Sequence, residues 1–89
     1  MSKMNLDIDL LHSFLAIVDT GNFTRAADCV GRTQSAVSMQ MKRLEETLSK
    51  PLFMRDGRQM QLSVDGENLV GYARRMITLN DCVLAQFSQ

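Results

Sequence analysis

The stretch Val30–Leu48, VGRTQSAVSMQMKRLEETL, sets a short turn before a helix with two unlike faces. Val37, Met41, Leu44 and Leu48 recur at spacings of four, three and four, which gathers them into one apolar stripe on an α-helix. At about 100° per residue, Ser35, Met39, Lys42 and Glu46 line the middle of the opposite face, with Ser38 and Arg43 on its flanks. Thr33 is suited to accept a hydrogen bond from a free N–H of the first turn, and Gly31 to supply the left-handed residue that ends a preceding helix. The helix must stop before Pro51, since proline lacks the N–H and disfavours the α conformation in the residue before it.

Upstream, Leu10, Leu11, Phe14, Leu15 and Val18 form the apolar face of a first helix, with Asp7 or Asp9 as its cap and Gly21-Asn22 as its end. A short helix follows over 23–30, with Phe23, Ala26, Ala27 and Val30 apolar. The two alanines allow the next helix to cross closely over its backbone. A helix ending in glycine, a tight turn and a newly capped helix with small polar residues in its first turns is the sequence form of a helix-turn-helix.

After Pro51 the periodicity changes. Leu52-Phe53-Met54-Arg55 and Gln59-Met60-Gln61-Leu62 flank Asp56-Gly57, a favoured hairpin dipeptide, and predict a two-stranded β-hairpin with Arg55 and Arg58 beside its tip. A lone hairpin is marginal, so it must pack on the helices through Leu52, Phe53, Met60 and Leu62. Such a hairpin beside a helix-turn-helix is a wing, and its arginines suit phosphates or a minor groove. Ser63 then caps a last helix, with Asp65 and Glu67 near the positive end of its dipole. Spanning 64–87, that helix is about 36 Å long, more than so small a body can cover. Leu69, Ala73, Met76, Asn80, Val83 and Phe87, widened by Val70, Ile77 and Leu84, make a heptad-like seam whose expected cover is a second copy of the chain, the alternative being a further part of the same chain.

The 89 residues, 45% of them hydrophobic, suffice for one principal core. No run approaches a membrane span, and the acidic residues after Lys3 do not make a secretory leader, so a cytoplasmic setting is expected. Cys29 and Cys82 have no metal-ligand spacing and are expected to be reduced packing residues; His12 lacks a partner for catalysis. Net charge is zero, yet its distribution is uneven. Between 32 and 58, Arg32, Lys42, Arg43, Lys50, Arg55 and Arg58 outnumber Glu45, Glu46 and Asp56, whereas both flanking segments are net acidic. The positive charge thus collects where a phosphate backbone would be met.

Asn22-Phe23-Thr24-Arg25-Ala26-Ala27, Arg32-Thr33-Gln34-Ser35-Ala36-Val37-Ser38, Leu44-Glu45-Glu46, Pro51-Leu52-Phe53 with Arg55, and Leu62-Ser63-Val64-Asp65-Gly66 together resemble the winged helix-turn-helix domain of LysR-type transcriptional regulators. The resemblance covers nearly the whole chain. It implies a mainly α fold: three helices and a two-stranded wing over 1–62, then a linker helix over 63–89 that forms a homodimer, usually antiparallel. It implies sequence-specific binding of double-stranded DNA in a bacterial cell, without catalysis or cofactor. Base-edge roles then fall on Gln34, Ser35, Ser38 and Met39, and backbone or wing roles on Thr33, Lys42, Arg43, Arg55 and Arg58. Met39 departs from the polar or basic residue common at its place and suits a thymine methyl instead of hydrogen-bonded readout. The dimer seam is carried by Leu69, Ala73, Met76, Ile77, Asn80, Val83, Leu84 and Phe87. Family members continue into a two-lobed effector-sensing domain; the sequence stops at Gln89, so no inducer site is assigned and a small-molecule effector is expected only with such a domain.

Two other readings compete. A protein-interaction module docking through the last helix is favoured mildly by the zero net charge and by Glu45-Glu46. An enzyme lacks an acid/base pair around a nucleophile, a phosphate-cradling glycine loop and a metal-ligand cluster.

Overall fold

The computed structural model describes residues 5–56 and 59–88. Its elements run α1 (Ile8–Thr20), α2 (Phe23–Val30), α3 (Gln34–Leu48), β1 (Phe53–Asp56), β2 (Gln59–Leu62) and α4 (Val64–Phe87). Each early boundary has a local cause. Asp7, not Asp9, caps α1, its carboxylate accepting from the Asp9 N–H at 2.8 Å. Gly21 ends α1 at φ 69°, and Asn22 caps α2 by accepting from the N–H groups of Thr24 and Arg25. Gly31, at φ 71°, closes α2, and the Arg32 N–H reaches back to the Ala27 carbonyl at 2.9 Å.

The core is one cluster fed by every helix and by the entry to the hairpin. Leu10, Leu11, Phe14 and Leu15 of α1 are buried as their spacing requires. Ile17 is fully buried as well, one turn beyond Phe14, while the expected Val18 only packs at the edge. Ala26 and Ala27 are buried where α2 meets its neighbours, and Val37, Met41 and Leu44 carry the inner stripe of α3. Leu48 is half-buried at the end of that stripe.

The strands pair antiparallel with Phe53 opposite Leu62 and Arg55 opposite Met60, one residue later in β1 than the expected strand at Leu52. Leu52 is fully buried just before the strand. Phe53 sits 5.8 Å from the Phe14 ring and 5.4 Å from the Phe23 ring, in tilted and edge-on arrangements. These aromatic contacts fasten the hairpin to α1 and α2. Gly57 and Arg58 lie outside the described residues.

A polar knot joins α3, the hairpin and α4. The Leu52 N–H donates to the Glu45 carboxylate at 2.7 Å, and the Ser63 hydroxyl donates to the Pro51 carbonyl at 2.6 Å. Ser63 also caps α4 by accepting from the Gly66 N–H at 3.0 Å, while its own N–H donates to the Leu52 carbonyl. The Leu52 carbonyl stands so close that a Cβ on residue 66 would run into it.

The first half of α4 packs along α1. Leu69 and Ala73 are therefore buried in the core of their own chain, which corrects their assignment to a seam between chains. Val70, Met76 and Ile77 pack against the same core in part. Past Ile77 the helix leaves the body, and Leu79, Val83, Leu84 and Phe87 are exposed. An exposed ion pair, Arg74 to Asp19 at 2.8 Å, ties α4 to the end of α1. The Asp19 hydrogen bond, and then its charge, raise the Arg74 guanidinium further above its usual pKa.

Candidate nucleic-acid interface

The outer face of α3 is presented by what holds its inner face. Besides the apolar stripe, Gln40 is buried, and its side-chain oxygen accepts from the buried Ser13 hydroxyl of α1. This pair fixes the rotation of α3 about its axis against α1, because a buried amide left without a partner costs about 1–3 kcal/mol. Thr33 caps α3 as expected, accepting from the Ala36 N–H at 3.1 Å. With that rotation set, Thr33, Gln34, Ser35, Ser38, Met39, Lys42 and Arg43 are all exposed. All seven α3-side candidates are thus accessible on the chain. Gln34 is partly held already, its side-chain oxygen accepting from the Thr24 hydroxyl of α2 at 3.3 Å.

Thr24 carries no motif of its own; its place in the first turn of α2 is the signal, since a helix-turn-helix sets that end near the start of the next helix. Arg25 and Arg32 are also exposed, Arg32 beside Asp9 and His12 of α1. Between Thr33 and Arg43 there is no carboxylate, and the positive end of the α3 dipole adds to Lys42 and Arg43. Glu45 is engaged with the Leu52 N–H, and Glu46 is exposed one turn beyond Lys42. Arg55 stands in β1 opposite Met60; Arg58 lies outside the described residues.

His12 and Cys29 share a shallow depression with Asp9, Ser13, Val30 and Arg32. Among the described residues no group of three His, Cys, Asp or Glu side chains is placed to hold a metal ion. Cys29 and Cys82 are free thiols as expected, but both are exposed, so neither is a packing residue. No helix of the described chain is long and apolar enough to cross a membrane.

A capped helix crossing a short alanine-bearing helix, a hairpin docked by aromatic contacts and a long trailing helix define a winged helix-turn-helix protein. Comparison with known proteins narrows the class. The sequence model of bacterial regulatory helix-turn-helix proteins of the lysR family matches residues 8–67, and the chain belongs to that family. It is 50% identical over 78 residues to the HTH-type transcriptional regulator PecT of Dickeya dadantii, covering 88% of this chain and 25% of PecT. It is 48% identical over 81 residues to the regulator DgdR of Burkholderia cepacia, covering 91% of this chain and 28% of DgdR. The chain thus spans about a quarter of the length of these curated relatives. Its fold is similar to that of BenM_DBD, solved in complex with benA site 1 DNA. The TM-score is 0.84 at 28% identity, with 91% of each chain covered.

Proposed function

We propose that this chain binds double-stranded DNA sequence-specifically, as a homodimer, and is the DNA-reading part of a bacterial transcription regulator. The observation that carries the reading is the exposed outer face of α3. Its first two turns hold no carboxylate and are followed by Lys42 and Arg43. A face of that kind enters a major groove by its N-terminal half. Gln34, Ser35, Ser38 and Met39 meet base edges, with Gln34 able to pair bidentately with adenine. Thr33, Lys42 and Arg43 meet phosphates, and Arg55 and Arg58 do so from the wing or enter the minor groove. That the structurally similar BenM_DBD was solved in complex with DNA supports DNA as the partner.

Residues 1–62 carry the reading unit and 63–89 the dimerisation helix, whose first turns also complete the core of the reading unit. The seam between protomers uses Met76, Ile77, Asn80, Val83, Leu84 and Phe87, with the two helices antiparallel. Symmetry then places two reading helices on half-sites about one helical turn apart. The chain does no catalysis and works in the bacterial cytoplasm, where its DNA lies. The rival reading as a protein-docking module loses part of its support, because the Glu45 carboxylate is occupied within the chain.

The test is a gel-shift titration of Gln34→Ala and Ser38→Ala against a duplex selected from a random pool and against a scrambled duplex. Loss of about 1–3 kcal/mol of discrimination is expected at Gln34, and a smaller loss at Ser38. Discrimination unchanged in both variants rejects the assignment of α3 as the reading helix.

A further inference from the structure

We propose that Met39 selects thymine, seating its side chain against the 5-methyl group of a thymine in the major groove; this rests on the DNA-binding reading above. Met39 is 64% exposed on the second turn of α3. A single exposed methionine is ordinary on a protein surface, and what distinguishes this one is its surroundings. It lies on one line of the helix with Ser35 a turn before and Lys42 a turn after. Among the exposed residues of α3 it is the apolar one; Gln34, Ser35, Ser38, Lys42, Arg43 and Glu46 are polar or charged.

The chemistry of the groove narrows its target. Guanine is most often read by Arg or Lys and cytosine by Glu or Asp, and α3 has no charged side chain between Gln34 and Met41. The apolar group that a base pair offers in the major groove is the thymine methyl. An unbranched thioether bends to meet it without a fixed rotamer. Lys42, three residues further on, holds a phosphate and limits how far the helix can slide from that base. Burying one methyl group corresponds to about a fourfold gain in affinity for each half-site.

Bound duplexes are first selected from a random pool. Each thymine of the selected site is then replaced in turn by deoxyuridine, which keeps every hydrogen-bonding atom and removes the methyl group alone. At one position in each half-site the replacement is expected to weaken binding about fourfold, from the transfer free energy of one methyl. Met39→Leu is expected to keep that sensitivity. Met39→Ser, at an exposed position that leaves the fold intact by circular dichroism, is expected to bind the parent duplex less tightly and to ignore the replacement at that position. Sensitivity that persists in Met39→Ser, or no sensitive position in the parent chain, overturns the thymine assignment and leaves DNA reading standing. A pool from which no sequence is enriched overturns both.

Discussion

At Gly66 the backbone of α4 closely approaches the segment leading into the hairpin. Its helical conformation is open to any residue, so its role is space, since a Cβ would meet the Leu52 carbonyl oxygen and crowd the Leu62 side chain. The Leu52 carbonyl is backbone held by the Ser63 N–H and cannot step aside cheaply. Gly66→Ala is expected to cost about 1–3 kcal/mol, the usual range for overpacking, although alanine is the better helix former. Thermal melting checks it, and a melting temperature at or above the parent's contradicts the close approach. Glu45 belongs to the same knot. By charge alone it is expected to mark the limit of phosphate contact; its position makes it the acceptor for the first N–H after Pro51.

At the scale of elements, α3 is the part whose setting matters most, and a polar contact sets it. The hydrogen bond from Ser13 to Gln40 is buried between α1 and α3. Ser13→Ala leaves the Gln40 amide buried without this partner and is expected to destabilise the chain by about 1–3 kcal/mol. Ser13→Ala combined with Gln40→Leu is expected to recover most of that loss, because two apolar groups demand nothing of each other. Urea unfolding of the single and double variants separates the outcomes; a double variant as unstable as the two losses added together rejects the account. The wing is an element of another kind, with two strands of four residues each. It is stabilised chiefly through Phe53 between Phe14 and Phe23 and through Leu52 in the core.

For the whole molecule, α4 divides the apolar surface between two tasks. Leu69 and Ala73 close the core, whereas Leu84 and Phe87 stand in the open on the last turns. Leu84→Glu with Phe87→Glu is therefore expected to yield a folded monomer in sedimentation equilibrium, with the circular dichroism of α1 to α3 retained. Leu69→Glu is expected instead to unfold the chain, since it places a charge in the core. A doubly substituted chain that still sediments as a dimer locates the interface elsewhere. Charge is also a property of the whole. With zero net charge, the proposed DNA binding has to rest on the local basic cluster, and each phosphate contact is expected to contribute about 0.9 to the logarithmic salt slope. Arg58→Ala is expected to weaken binding to most sequences and to flatten the slope of a dimer by about 1.8, measured by fluorescence anisotropy between low and moderate salt.

The sequence by itself determined the order of the elements and most of their ends. Asn22, Gly31, Thr33 and Ser63 act on N–H groups and backbone angles within a few residues, so their effects can be read locally. Helical periodicity likewise separated the inner stripe of α3 from its outer face. What only the tertiary structure decided is which apolar residues find partners inside the chain, and where buried polar groups pair. Periodicity shows that Leu69 and Phe87 share a stripe, but not that α1 covers the first and leaves the second bare. The Gln40 to Ser13 and Glu45 to Leu52 contacts join residues distant in the chain, and their geometry exists only once the helices have crossed.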